Sequence, residues 1–492
     1  MSTLTSLARA LAFETGRAVP IAARRHAHVS DRPLVFVPLC LAGEANAPLA
    51  CLVGSQASSP RLLVVPQPRN RDLRFAFAAS LASVVLDYVD CFAASTELVN
   101  GRNVATDAPQ LLVANPSAVA FTRLLGRSTR LRRTEGEYAV EPSVPLLGRW
   151  LTYFAERNEH PGSSAMLAMT SVLAANWATG QSTLEDANLA ALVGWIDPPP
   201  GLSGPEAAAL AEDPVRCPPA GPATDPTFDN EVLAPLIRSY DHAVDDAGRA
   251  RAAAALGTAL HGQLELTWRL MWLGVSLLQA LPAAQSVSRR WLQDRREFTD
   301  RMEYWRDGGL PQGRTDQAVA AARRLGYLER EQDELIVDRA FDDELAMAEF
   351  RLGGEAFAGF VVRRDATRLD TSGPRRKLRP HVVVSTSDRL RLEQGVVVRT
   401  ASRPKQEARI LDISYLGPTI EVRLELAGGM GRSLTPAPGS VPELAERLCY
   451  STLARDSGRL PPFPSVEETP WTHGGPPPVY LPTDDDAVEA WA

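Results

Sequence analysis

The apolar positions begin as short β-rich runs. Residues 33–40, 47–54 and 61–65 are separated by Gly, Asn, Ser and Pro, and runs of that length between turn residues predict strands. Residues 72–92 are Ala/Leu-rich and predict a helix, so the opening order is strand, strand, strand, helix. Residues 110–114 predict another strand. Asn115-Pro116-Ser117 after it is helix-start chemistry, a capping side chain followed by proline, for a helix over 118–125. Residues 1–140 are thus expected to form an α+β domain.

From 141 to 196 the spacing becomes helical, with helices expected over 146–157, 163–178 and 184–195. Residues 197–230 hold nine prolines, a density that excludes a long regular element and predicts a linker. Helical spacing returns over 231–362, where Arg290/Asp294, Arg296/Asp300 and Glu297/Arg301 sit four apart as on a solvated face. A helix over 315–325 closed by Gly326, followed by short strands at 327–330 and 334–338, outlines the second half of a winged helix within about 287–340. A basic linker, 363–380, precedes runs at 381–386, 395–401, 407–413, 419–426 and 447–452, which predict a small β-barrel, SH3-like or OB-like, over 381–455. A Pro-rich acidic tail, 456–492, ends the chain. The expected fold class is multidomain α+β.

Composition changes this picture in three places. With 492 residues, 45% of them hydrophobic, the chain can build several true cores. Its net charge of -7 is concentrated in the tail, where seven acids face Arg459 alone, leaving the body close to neutral. Lys377 and Lys405 are its only lysines, so Arg is the default surface cation, a usage that fits a GC-rich bacterial genome. The five cysteines, Cys40, Cys51, Cys91, Cys217 and Cys449, are odd in number and widely spaced, which fits a reducing, cytoplasmic setting rather than a disulfide framework or a zinc site. No leader pattern is read at the start, where Glu14 interrupts the apolar stretch. Residues 264–281 approach membrane-spanning length but carry Glu265, Arg269 and Gln279, so a buried helix is expected and no membrane partner.

Candidate chemistry is sparse. Neither lysine follows glycine, so there is no Walker loop, and Gly428-Gly429-Met430-Gly431-Arg432-Ser433 lies between strands, as a hairpin loop does. Nor is there a Gly-x-Ser-x-Gly elbow. His26, His28, His160, His242, His261, His381 and His473 include no i, i+4 pair, so neither metal nor cofactor is expected. Asp241, His242, Asp245 and Asp246 form the densest acid/His cluster; on one helix Asp241 and Asp245 would share a face able to hold a divalent cation, the basis of a metal-dependent hydrolase reading. Asp412 with Glu421-Val422-Arg423 has the outline of a nuclease hairpin, with Arg where the attacking water needs Lys. The richest cluster is basic. Arg363, Arg364, Arg368, Arg375, Arg376, Lys377 and Arg379 face only Asp365 and Asp370, a charge suited to phosphates. Arg123, Arg127, Arg130, Arg132 and Arg133 form a weaker second cluster.

Within residues 388–453, the run Leu390-Arg391-Leu392-Glu393-Gln394-Gly395, the strands after it and the Gly428-Gly429 loop resemble the accessory β-barrel of Upf1-like superfamily 1 helicases. The resemblance implies a barrel that contacts nucleic acid beside a motor, while every motor motif is missing. The expected function is a non-catalytic, DNA- or RNA-associated accessory protein of a bacterial DNA-processing, repair or phage-defence assembly, with a separate helicase or nuclease as partner. The alternative is a scaffold that docks a protein through its acidic tail.

Overall fold

Strand β1 (Leu34–Cys40) reads LVFVPLC and buries all seven residues, as a strand does when both faces of its sheet are covered. The structure, a computed structural model, describes residues 3–44, 47–316 and 318–455, with Ser465 and Glu468. β1 is central in a five-stranded sheet with β2 (Pro48–Gly54), β3 (Arg61–Val64), β4 (Leu111–Val113) and β5 (Met166–Ala168), in the order β3-β2-β1-β4-β5. The first three strands form an antiparallel meander; β4 pairs parallel with β1, and β5 with β4. Because side chains alternate along a strand, Leu34 and Phe36 enter one core and Val35, Val37 and Leu39 another.

The first core is closed by α1 (Arg71–Ala93), α2 (Pro116–Thr129) and α3 (Ser143–Arg157). Asn70 and Asn115 cap α1 and α2, accepting from the amides of Leu73 and Ala118, as the helix-start chemistry of Asn115-Pro116 requires. By length and composition α1 is apolar enough to cross a membrane, and it buries Phe77, Leu81, Val85 and Val89 in this core. The second core is closed by α4 (Met169–Ala174), α5 (Leu189–Ile196), α6 (Ala234–Asp241) and α7 (Asp246–Ala280). The apolar stretch at 264–281 belongs to α7, which buries Leu264, Trp268, Met271 and Val275. Helix α8 (Val287–Arg306) returns to the first core with Trp291 and Phe298. α2 and α3 cross closely at Gly148, where an added Cβ would lie 2.3 Å from the Arg130 amide nitrogen.

One polar knot lies inside this unit. Asp294, 1% exposed, accepts from Arg157 Nη2 at 2.9 Å, Ser163 Oγ at 2.6 Å and the Ser164 amide at 2.7 Å. Beside it His28 stacks on Trp291, ring centroids 4.0 Å apart. Burial is the main reason its pKa falls from 6.5 to about 4, outweighing the nearby Asp107.

The chain divides into two compact units at residue 333, within α9 (Ala318–Asp342). This helix corrects the winged-helix expectation, because residues 327–338, expected as two strands, are continuous helix through Gly326. Glu, Gln, Arg and Leu around 328–335 are strong helix formers, and one interior glycine costs only about 1 kcal/mol. The helix expected over 163–178 is also corrected, since Met166–Ala168 is β5.

In the second unit, α10 (Glu344–Gly353) is capped by Asp343 and ends at Gly354, whose φ of 79° gives a left-handed stop. Strands follow: β6 (Ala356–Asp365), β7 (Leu369–Asp370), β8 (Lys377–Leu378), β9 (His381–Thr386), β10 (Val397–Val398), β11 (Glu407–Leu416), β12 (Thr419–Ala427) and β13 (Arg447–Ser451). Six form one antiparallel sheet in the order β10-β11-β12-β9-β6-β13, while β7 and β8 pair as a separate ribbon. The six-stranded sheet is nearly closed as a barrel. Just past β10, the Arg399 amide donates to Ser451 O at 2.8 Å and the Ser451 amide to Arg399 O at 2.9 Å, so the two end strands meet. Phe357, Val382, Val384, Ile410, Val422, Leu424 and Tyr450 fill the interior. The barrel therefore starts at β6, within what the sequence suggested was helix and linker. Most of the acidic tail, 456–492, lies outside the described residues.

Candidate nucleic-acid interface

The seven basic residues from Arg363 to Arg379 divide according to where the backbone carries them. Arg363 and Arg364 lie on β6, beyond a bulge between Val361 and Arg363 that shifts the strand's facing. Outward positions on β6, β9, β12 and β11 align in rows: Arg363, Val383, Arg423 and Asp412 in one, Asp365, His381, Glu425 and Arg409 in the next. Signs alternate between the two rows of this wall on β6, β12 and β11, and the ion pairs reach over β9 or in from residues beside the strands. Arg363 Nη2 donates to Glu421 Oε2 at 2.6 Å, Arg368 Nη1 to Glu425 Oε2 at 2.8 Å, and Arg364 pairs with Glu443. His381 Nε2 lies 3.4 Å from the same Glu425 oxygen. Its pKa is lowered first by burial and then by Arg368, against the pull of Glu425.

The other cations sit where the chain leaves the wall. At the base of the β7–β8 ribbon, Leu369 packs on the barrel core and Leu378 is buried in it, while the Arg379 amide donates to Arg368 O at 2.9 Å. Arg379 itself is half-buried and turns Nη1 to Leu378 O at 3.1 Å. Beyond that base, residues 371–377 are exposed throughout. Arg375, Arg376 and Lys377 stand there with no ion pair or side-chain hydrogen bond among the described residues. The nearest acid in sequence, Asp370, is engaged by the amide and hydroxyl of Ser372, which hold its carboxyl below the usual range. Of the seven cations expected as one run, three therefore stand exposed and without a partner among the described residues, on an anchored ribbon.

The acids that pair with Arg363, Arg364 and Arg368 lie 57 or more residues away along the chain, beyond what local sequence shows. The available signal was the alternation Glu421, Arg423, Glu425 on one strand, which places like-facing charges opposite the neighbouring strands.

Other candidates resolve into structure. Asp412 faces Arg423 across the β11–β12 ladder and Glu421 is held by Arg363, so the nuclease-like outline is part of the charged wall. Asp241 ends α6 and accepts from Gln67 Nε2 at 2.7 Å, whereas Asp245 caps α7 by accepting from the Gly248 amide at 2.6 Å. A helix break separates them, which corrects the shared face expected of these acids. Among the described residues no group of three or more His, Cys, Asp or Glu side chains is arranged to hold a metal ion. In the second basic cluster, Arg130 is 3% exposed and donates to Gln312 O and Gly313 O, and Arg123 pairs with Glu159 at 2.6 Å. Gly428 and Gly429, at φ 70° and 67°, open the loop from β12 toward β13 with no helix behind them. Comparison with known proteins gives no match for this chain in any family model, curated protein or solved structure.

Proposed function

We propose that the chain is a non-catalytic, nucleic-acid-associated accessory protein. In this reading its barrel, of the SH3-like or OB-like kind, touches DNA or RNA phosphates through the tip of the β7–β8 ribbon. It works beside a separate helicase or nuclease in a bacterial DNA-processing, repair or phage-defence assembly. One observation supports this above the others: Arg375, Arg376 and Lys377 are exposed and unpaired on a ribbon anchored by Leu378, while the other cations of the stretch have partners within the protein. A narrow two-stranded ribbon with a basic tip can follow a groove or a single-stranded backbone, and cations without partners need shed no internal salt bridge to bind.

The test is binding to labelled single- and double-stranded DNA and RNA over a salt series. Three phosphate contacts predict that log affinity falls with log salt at a slope of about -2 to -3. Changing Arg375, Arg376 and Lys377 together to Glu should abolish that binding. Absence of binding at low salt, or binding that survives the triple change, would overturn the reading.

A further inference from the structure

We propose that a cleft in the unit of residues 5–332 binds a small phosphate monoester with a hydroxylated, partly apolar body, the chemistry of a mononucleotide. The cleft opens beside the start of β1, between the β2–β3 loop and the carboxyl-terminal half of α1, and holds about 400 Å³. That is within the size range of small-molecule sites. Arg32 and Arg61 both line it, both are exposed, and neither makes an ion pair or a side-chain hydrogen bond among the described residues. Two unpaired guanidiniums on one concavity are a phosphate's natural partners, because each offers a planar fork of donors. The floor is apolar, formed by Leu34, Val53 and Phe92, and the Arg32 guanidinium lies 5.6 Å from the centroid of the Phe92 ring.

The remaining lining narrows the ligand further. Ser55, Gln56 and Ser59 supply neutral donors and acceptors on the loop side, while Asp87 on α1 supplies a carboxylate. A bare polyanion would be repelled by Asp87, whereas a sugar hydroxyl could donate to it with the phosphate held on the arginines. The walls are fixed before any ligand arrives. Tyr88 Oη donates to Arg32 O at 2.8 Å and accepts from the Gln110 amide at 3.1 Å, which locks the backbone of Arg32. On the other side, Trp268 Nε1 donates to Ala57 O at 2.9 Å and pins the β2–β3 loop. Preformed walls reduce the ordering cost of binding.

The cleft also carries its own reporter, since Cys91 lines it and is exposed, whereas Cys40 and Cys51 are buried. The experiment uses the full chain with inorganic phosphate, adenosine 5′-monophosphate and adenosine as calorimetric probes. Alkylation of Cys91, followed by peptide mass, is read in parallel. The monophosphate should bind at least about tenfold more tightly than adenosine and slow Cys91 alkylation, and Arg32→Gln or Arg61→Gln should each cost about tenfold in affinity. Unchanged tryptophan fluorescence melting in these exposed-site variants shows that they fold. Equal binding of monophosphate and adenosine, binding indifferent to both substitutions, or alkylation indifferent to all three probes would overturn the proposal. A 5′-phosphorylated oligonucleotide compared with its 5′-hydroxyl form separates the two sources of this chemistry, a strand end or a free nucleotide. The site is independent of the ribbon: the Arg375/Arg376/Lys377 triple variant should bind the monophosphate as the wild type does, so either proposal can fail alone.

Discussion

The two large sheets of this protein solve the same problem in opposite ways. The five-stranded sheet stays open and buries both faces under helices, so β1 and β2 are apolar almost without interruption. The six-stranded sheet curls until Arg399 and Ser451 join its ends, and therefore has one face inside and one in water. Its strands alternate apolar with charged, and β12 reads TIEVRLELA. Covering a sheet with helices moves polar groups into knots such as Asp294 with Arg157, where each member depends on the others. Closing a sheet on itself places charges on an outer wall, where they pair across strands and are weakened by solvent. A cation count along the sequence misleads in the second setting, because Arg363, Arg364 and Arg368 are paired with acids brought in by the fold while the cations at the ribbon tip are not.

The largest effects should come from breaking each interior. Asp294→Ala leaves Arg157 buried and unpaired and should cost about 3 to 5 kcal/mol. Leu424→Ala, in the barrel interior, should cost about 2 to 5 kcal/mol. Seven of the nine tryptophans lie in residues 5–332, none lies in the barrel, and the others are Trp471 and Trp491. Asp294→Ala should therefore lower the tryptophan fluorescence transition, and Leu424→Ala should leave it in place while accelerating hydrogen exchange in β12. If Leu424→Ala shifts the tryptophan transition as far as Asp294→Ala does, the two units do not unfold separately.

A smaller effect distinguishes the interiors by pH. His28 has a folded pKa near 4 against 6.5 when unconstrained, so between those values the unfolded chain binds more protons than the folded one. Its contribution is complete above pH 6.5 and is lost as pH falls toward 4, on the order of 2 kcal/mol once its partial exposure is allowed for. His28→Gln should flatten the acid limb of the tryptophan transition over that window. An unchanged limb would mean that His28 is not held neutral against Trp291.

How much of this was legible follows from the same contrast. The runs at 33–40, 47–54 and 61–65 agree with β1, β2 and β3 to within a residue or two, and 381–386 coincides with β9, because turn residues bound each run. Strand β6 was hidden because its second half, Val362-Arg363-Arg364-Asp365, breaks the alternation at a bulge. Met166–Ala168 was hidden because three apolar residues have no period of their own, and β5 is a strand only through its pairing with β4. For the same reason the reach of this sheet is not visible locally: β5, α7 and α8 are late additions to a sheet begun at residue 34. The ribbon tip was visible as charge, but its separation from the paired arginines was not, since that depends on acids from distant strands.

The smallest expected effect tests that separation directly. Glu421→Gln removes the carboxylate facing Arg363, a pair whose arginine side chain is two-thirds exposed, so stability should change by less than about 1 kcal/mol. The change nevertheless frees one cation on the wall. If the wall is silent in binding only because it neutralises itself, nucleic-acid binding should gain about one unit in its salt slope and become modestly tighter. If the wall faces away from the bound strand, the slope should stay where Arg375, Arg376 and Lys377 set it. The variant thus decides between a ribbon that binds alone and a ribbon that is the free edge of a wider, self-masked surface.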